Sequence, residues 1–111
     1  MNYQERHTGE YTIVELSGRL TVNDDAGRLR QAVADTMRRG GRHVLLDLSG
    51  VLYIDSTRLG ELISAHVSLM RQGGTLKLVR TPLKIRELIH VAGLDKVFRS
   101  YETVDDAIRE S

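Results

Sequence analysis

Apolar and polar positions recur along this chain with two different periods, and the switches between the periods mark out its elements. Tyr11 to Gly18, YTIVELSG, is rich in β-branched and aromatic residues and ends at glycine, which predicts a strand; Asn2 to His7 is expected to pair with it across Thr8-Gly9. From Asn23, an N-cap residue type followed by Asp24 and Asp25, the apolar set Ala26, Leu29, Val33 and Met37 recurs at helical spacing until Gly40-Gly41. His43 to Leu48, HVLLDL, is a continuous apolar run ending in an acid, as expected of a central strand covered on both faces. Leu59, Leu62, Ile63, His66, Val67 and Met70 then follow the i, i+3, i+4, i+7 rule, and Gly73-Gly74 closes that helix. Thr75 to Val79 alternates as a strand. Thr81-Pro82 supplies a cap and a first-position proline ahead of Ile85, Leu88 and Ile89. Val97-Phe98 reads as a last strand, and Thr103 to Asp106 as a capping box opening a terminal helix.

Strands alternating with helices imply an α/β fold: a mixed, mostly parallel sheet with crossover helices and an antiparallel N-terminal edge hairpin. At 111 residues, with no linker or low-complexity segment, residues 1–111 are expected to form one domain. Ligands and partners of such sheets meet the carboxyl ends of the strands. There the stretch Gly50 to Leu62, GVLYIDSTRLGEL, places Asp55, Ser56 and Thr57 at the passage from an apolar run to a helical pattern. Those residues suit a helix cap, a nucleophile or the carrier of a removable charge.

Composition narrows the choice. Sixteen basic residues against fifteen acidic ones give a formal net charge of +1, without the basic footprint of a nucleic-acid or anionic-membrane binder. No cysteine is present, so disulfides and thiolate metal sites are excluded. The apolar runs are too short to cross a bilayer and the first ten residues are no signal peptide, so the expected location is the cytoplasm.

Catalysis finds little support. A nucleophile elbow would have glycines two residues either side of Ser56, and those positions hold Ile54 and Arg58. His66 lies on the inward stripe of its helix and is read as a packed core-edge histidine; His43 opens the expected central strand, and His7 and His90 have no local partner. No metal-binding spacing occurs, and Asp24-Asp25 and Asp105-Asp106 are read as acids complementing helix dipoles. No cofactor is implied. A cap explains one polar residue at the motif, but not three in succession followed by Gly60 inside a strong helical pattern, where glycine costs about 1 kcal/mol relative to alanine. Thr57, Gly60 and Ser64 form a strip of small residues flanking the apolar stripe, which permits close approach by a partner. A hydroxyl at a helix N-terminus is also a favourable place for a phosphate.

Asp47-Leu48-Ser49 followed by Tyr53-Ile-Asp-Ser-Thr-Arg-Leu-Gly60 resembles the signature of STAS domains, specifically bacterial anti-sigma factor antagonists. Val14 to Leu20, Gly73 to Leu78 and Ile89 to Phe98 extend the likeness over nearly the whole chain. The resemblance implies a non-enzymatic protein-interaction switch. Its unphosphorylated form captures an anti-sigma factor, often itself a serine kinase, and so releases a sigma factor; a serine phosphatase reverses the phosphorylation. It places the modified hydroxyl on Ser56, with Thr57 as rival, and the partner face on Asp55, Ser56, Thr57, Arg58, Gly60, Ser64, Thr21 and Asp24. Two positions depart from the family pattern: Arg58 stands where a glycine is common, and Thr21 where an acid is frequent. Arg58 is expected near the docking surface, as a partner for a phosphate or a mark of a different partner. The alternatives are a STAS scaffold that is never phosphorylated or a small-molecule-binding STAS domain.

Overall fold

The computed structural model describes residues 2–20 and 28–110. Nine elements follow in order: β1 (Asn2–Thr8), β2 (Tyr11–Leu20), α1 (Arg28–Arg38), β3 (His43–Ile54), α2 (Ser56–Arg71), β4 (Thr75–Val79), α3 (Leu83–Val91), β5 (Ser100–Tyr101) and α4 (Val104–Arg109). The five strands lie in one sheet in sequence order; β1 and β2 are antiparallel, and every later pair is parallel. Parallel neighbours added in one direction through crossovers of one hand must put all their helices on one face of the sheet. Accordingly, residues of α1, α2 and α3 share one core with Val14, Leu16, Val44, Leu46, Leu76 and Leu78. The opposite face, with Ile13, Leu45 and Val79, packs on Ala107 of α4. Val44, Leu46 and Leu76 on the strands and Leu59 on α2 are buried, and Ile63 packs against them half-buried.

Some expectations change. The predicted start of α1, Asn23 to Ala26, lies outside the described residues. Val97 and Phe98 do not form the last strand; β5 is Ser100–Tyr101, and Phe98 is buried in the turn before it. The N-cap of α3 is Pro82, not Thr81: the Pro82 carbonyl accepts from the N–H groups of Ile85 and Arg86, and no side chain caps that end. The buried sector of α2 runs through Arg58, Leu59, Leu62, Ala65 and Leu69, while Val67 and Met70 face solvent. The predicted stripe was rotated because it took the large apolar residues as inward and passed over Ala65, on a helix that packs on α1.

Gly73-Gly74 does more than end α2. Gly73 adopts a positive φ of 77° just after the helix, the usual glycine C′ conformation. A Cβ on Gly74 would stand 2.0 Å from the Arg42 carbonyl oxygen, which accepts the Thr75 N–H at 2.8 Å as β4 joins the sheet. Only glycine allows that approach.

Candidate functional site

β3 outruns its neighbour β4. Their pairing ends at Asp47 with Val79, and from Leu48 to Ile54 β3 continues with β2 alone. The turn into this arm is held by the Asp47 carboxylate, whose Oδ1 accepts the Ser49 N–H at 2.9 Å and whose Oδ2 accepts from Arg80 Nη2 at 2.8 Å and Nε at 3.1 Å. Asp47 is buried, so the guanidinium compensates a charge that would otherwise be costly to desolvate. Arg80 reaches it from a left-handed backbone conformation, φ 53°, which directs the chain out of β4. Thus the Asp47-Leu48-Ser49 part of the signature serves the fold. The role of Arg80 gave no sequence signal beyond its place at a strand end.

At the tip of the arm, Asp55 stays extended, at φ −93° and ψ 174°, and its N–H donates to the Leu20 carbonyl at 3.0 Å. Its Oδ1 accepts the Arg58 N–H at 2.8 Å, so Asp55 is the N-cap of α2. Ser56 and Thr57 occupy the first two helical positions, where backbone N–H groups have no intrahelical acceptor. Both side chains are exposed, so exposure does not separate Ser56 from its rival. Gly60 and Ser64 are exposed too, and an added Cβ at Gly60 would meet nothing within 4 Å among the described residues. Packing within the described fold therefore does not require glycine there. The strip Thr57, Gly60, Ser64 is present as expected; Thr21 and Asp24 lie outside the described residues.

Arg58 corrects an expectation. Its side chain is only 3% exposed and forms an ion pair with Glu61, itself 13% exposed. Arg58 stands i−4, i−7 and i−11 from Leu62, Ala65 and Leu69, on the inward line of α2, with the acid one turn on. That spacing is the signal which would have placed it inside. It does not offer a surface cation to a phosphate or a partner.

Among the described residues no histidine stands beside Ser56, and the Asp55 carboxylate is turned to the Arg58 N–H. His66 lies ten positions along α2, about 15 Å at the helical rise, with its ring edge-on to Phe98 at 5.5 Å. His43, at the far end of β3, meets Thr75 at 3.0 Å, and His90 pairs with Asp95 at 3.1 Å. Among the described residues no three of His, Cys, Asp and Glu converge as a metal site, and no helix is long and apolar enough to cross a membrane. A cleft of about 500 Å³ between α1 and α2 is lined by Val33, Ala34, Met37 and Ala65, with Arg30 and Arg38 at its rim; it contains neither carboxylate nor imidazole.

Asp55→Ala should destabilise the domain by about 1 kcal/mol in denaturant melts, whereas Asp55→Asn, an equally good cap, should leave it folded. Magnesium or calcium should leave the thermal midpoint of the wild type unchanged, since Asp55 binds the backbone. His66 is packed but not satisfied: its Nδ1 is buried with no hydrogen-bond partner, and burial lowers its pKa from the ordinary 6.5. The unfolded chain then binds this proton more readily than the fold does. Stability present above pH 6.5 is lost as pH falls through the lowered value. His66→Phe should flatten this acid limb in melts between pH 7 and pH 5, and an unchanged slope would contradict it.

A mostly parallel sheet carrying three helices on one face, with an Asp55 cap and two exposed hydroxyls where its longest strand enters a helix, defines a small single-sheet α/β domain. The family model described as "Mlab, STAS domain" matches residues 3–101, and the chain belongs to the STAS domain family. An anti-sigma F factor antagonist of Paenibacillus polymyxa is 29% identical, the match covering 99% of this chain and 96% of that one. The crystal structure of an anti-sigma factor antagonist from Mycobacterium paratuberculosis superposes with a TM-score of 0.85 at 27% identity, covering 98% and 92% of the two chains. SpoIIAA of Bacillus, solved in phosphorylated and unphosphorylated forms, shares the fold at 18% identity, with TM-scores of 0.73 and 0.79. The unphosphorylated comparison covers 98% and 95% of the chains. Curated relatives from Thermotoga neapolitana and Thermotoga maritima are 30% identical over 74 residues, a match that spans 66% of their length.

Proposed function

We propose that this chain is an anti-sigma factor antagonist of the cytoplasm, a binding module that captures an anti-sigma factor with its β3–α2 corner and is released by phosphorylation of Ser56. The observation that carries the reading is the placement of an exposed serine at the first position of α2, beside an exposed strip of small residues, with the cap carboxylate turned to the Arg58 N–H. The names of the Paenibacillus and Mycobacterium relatives support the class of partner, and the two forms of SpoIIAA support a phosphorylated state. The partner is then a serine-kinase anti-sigma factor, and a serine phosphatase restores the binding form. Incubation with ATP and each purified serine-kinase anti-sigma factor of the source organism, followed by intact-mass measurement and peptide mapping, tests this. The expected result is one phosphate, on Ser56, and none on Ser56→Ala; no adduct with any kinase refutes the switch.

Gly60 supplies an independent test. Gly60→Ala removes an interior helix glycine and should stabilise the fold by up to about 1 kcal/mol. The same methyl group on the approach strip should weaken capture of the anti-sigma factor. A variant that gains stability and keeps full binding shows that the partner does not approach Gly60.

A further inference from the structure

The arm that carries Ser56 also displays a side chain with no place in the fold. The register between β2 and β3 shifts where Gly18 pairs with Val51 and Arg19 with Tyr53, leaving Leu52 as the extra, unpaired residue of a bulge. Val51 and Ile54 on either side are buried, but Leu52 is 76% exposed. Single exposed leucines are common on protein surfaces. This one differs in its setting, because a bulge re-aims a side chain and recurs beside functional sites.

Its neighbours add chemistry. Tyr53 is 48% exposed, and the Arg19 guanidinium lies 5.5 Å from the centre of its ring. That contact holds a cation in place over an aromatic face. Arg19 is exposed and has no carboxylate partner among the described residues, as is also true of Arg30, Arg42, Arg71, Arg86 and Arg99; what sets it apart is the Tyr53 ring that holds it in place. An exposed leucine, a half-exposed tyrosine and a preordered arginine thus run continuously along the arm into Asp55 and Ser56. Arginine and tyrosine are the residue types that dominate interface energies when they become desolvated.

We infer that Leu52 and Arg19 are the specificity-determining contacts of the docking corner: Leu52 enters an apolar socket on the anti-sigma factor, and Arg19 meets a carboxylate on that socket's rim. The inference rests on the function proposed above and adds the chemistry of the partner. It also gives the phosphate a definite opponent. A phosphoryl group on Ser56 would repel a partner carboxylate drawn to Arg19, whose strand pairs with the arm that leads into Ser56.

The test uses the unphosphorylated full chain, titrated by calorimetry with each purified serine-kinase anti-sigma factor of the source organism. Leu52→Ser and Arg19→Glu, both at exposed positions, are checked for wild-type melting curves. Each should weaken binding at least tenfold, and Arg19→Glu should also remove much of its salt dependence between 50 and 300 mM, a range chosen to vary screening. Either variant binding within twofold of the wild type overturns this inference and leaves the Ser56 switch standing. Failure of the wild type to bind any of the kinases overturns both. Sedimentation equilibrium of the chain alone should show a monomer. A self-association abolished by Leu52→Ser would assign the patch to a second copy and overturn the proposal.

Discussion

Leu46→Ala is expected to destabilise the domain by about 2–5 kcal/mol, the range for truncating a buried leucine. Leu46 sits in the part of the central strand that is paired on both sides, fully buried, flanked in register by Val14 on β2 and Leu78 on β4. Its side chain points to the sheet face that α1, α2 and α3 cover, so neighbours from several elements fix the void that alanine would leave. Close-packed surroundings relax only partly around such a void, which puts the expected cost toward the upper half of the range. A domain of this size has about 5–15 kcal/mol of stability in all, so the variant should melt at much lower urea concentration with an unchanged slope. A loss below half of about 1 kcal/mol would contradict the placement of β3 at the centre of the sheet.

What could be read from the sequence was what depends on local pattern. Strand β4 was placed to the residue because Thr75 to Val79 alternates between a glycine pair and a loop. The caps at Asp55 and Thr103 were legible because a short acceptor side chain before a helical run has few other uses; Thr103 Oγ1 does accept the Asp106 N–H, at 3.0 Å. Features that depend on distant partners were not. Val97-Phe98 has strand-like composition, yet Phe98 is buried from a turn, against a histidine more than thirty residues earlier in the chain. Arg58 looked like a surface charge because arginine usually is one, while its inward position depends on the angular sector that α2 buries. Leu52 stands in an apolar run with no signal of its own, and only a register shift against β2 turns it outward. At the site itself the sequence reading found the hydroxyls and the small strip, but not Arg80, which acts through Asp47 across two strands.

Phosphorylation of Ser56 is expected to cost the complex with the anti-sigma factor several kcal/mol while leaving the domain folded. The two effects separate because of where the group would sit. The phosphoryl group brings about −1.5 to −2 charges at pH 7 to the first position of α2, where unsatisfied N–H groups and the positive end of the helix dipole favour it. Asp55 already occupies the Arg58 N–H, and the Arg58 side chain is buried with Glu61, so the new charge draws on the backbone donors of Ser56 and Thr57 and on solvent. Nothing buried has to move, and melts of the phosphorylated and unmodified chains should nearly coincide. A docked partner changes the balance. It must desolvate the phosphate and accommodate its bulk against Thr57, Gly60 and Ser64, a charge burial with no counter-ion supplied by this chain's Arg58. Loss of about 3 kcal/mol corresponds to more than a hundredfold in affinity. Comparing the phosphorylated chain with Ser56→Ala, Thr57→Ala and Ser56→Asp by calorimetry reads this directly: Ser56→Ala and Thr57→Ala should retain capture, and Ser56→Asp should lose part of it. Phosphate mapped to Thr57, or full affinity in a chain stoichiometrically phosphorylated at Ser56, would mean that another hydroxyl or another surface governs release.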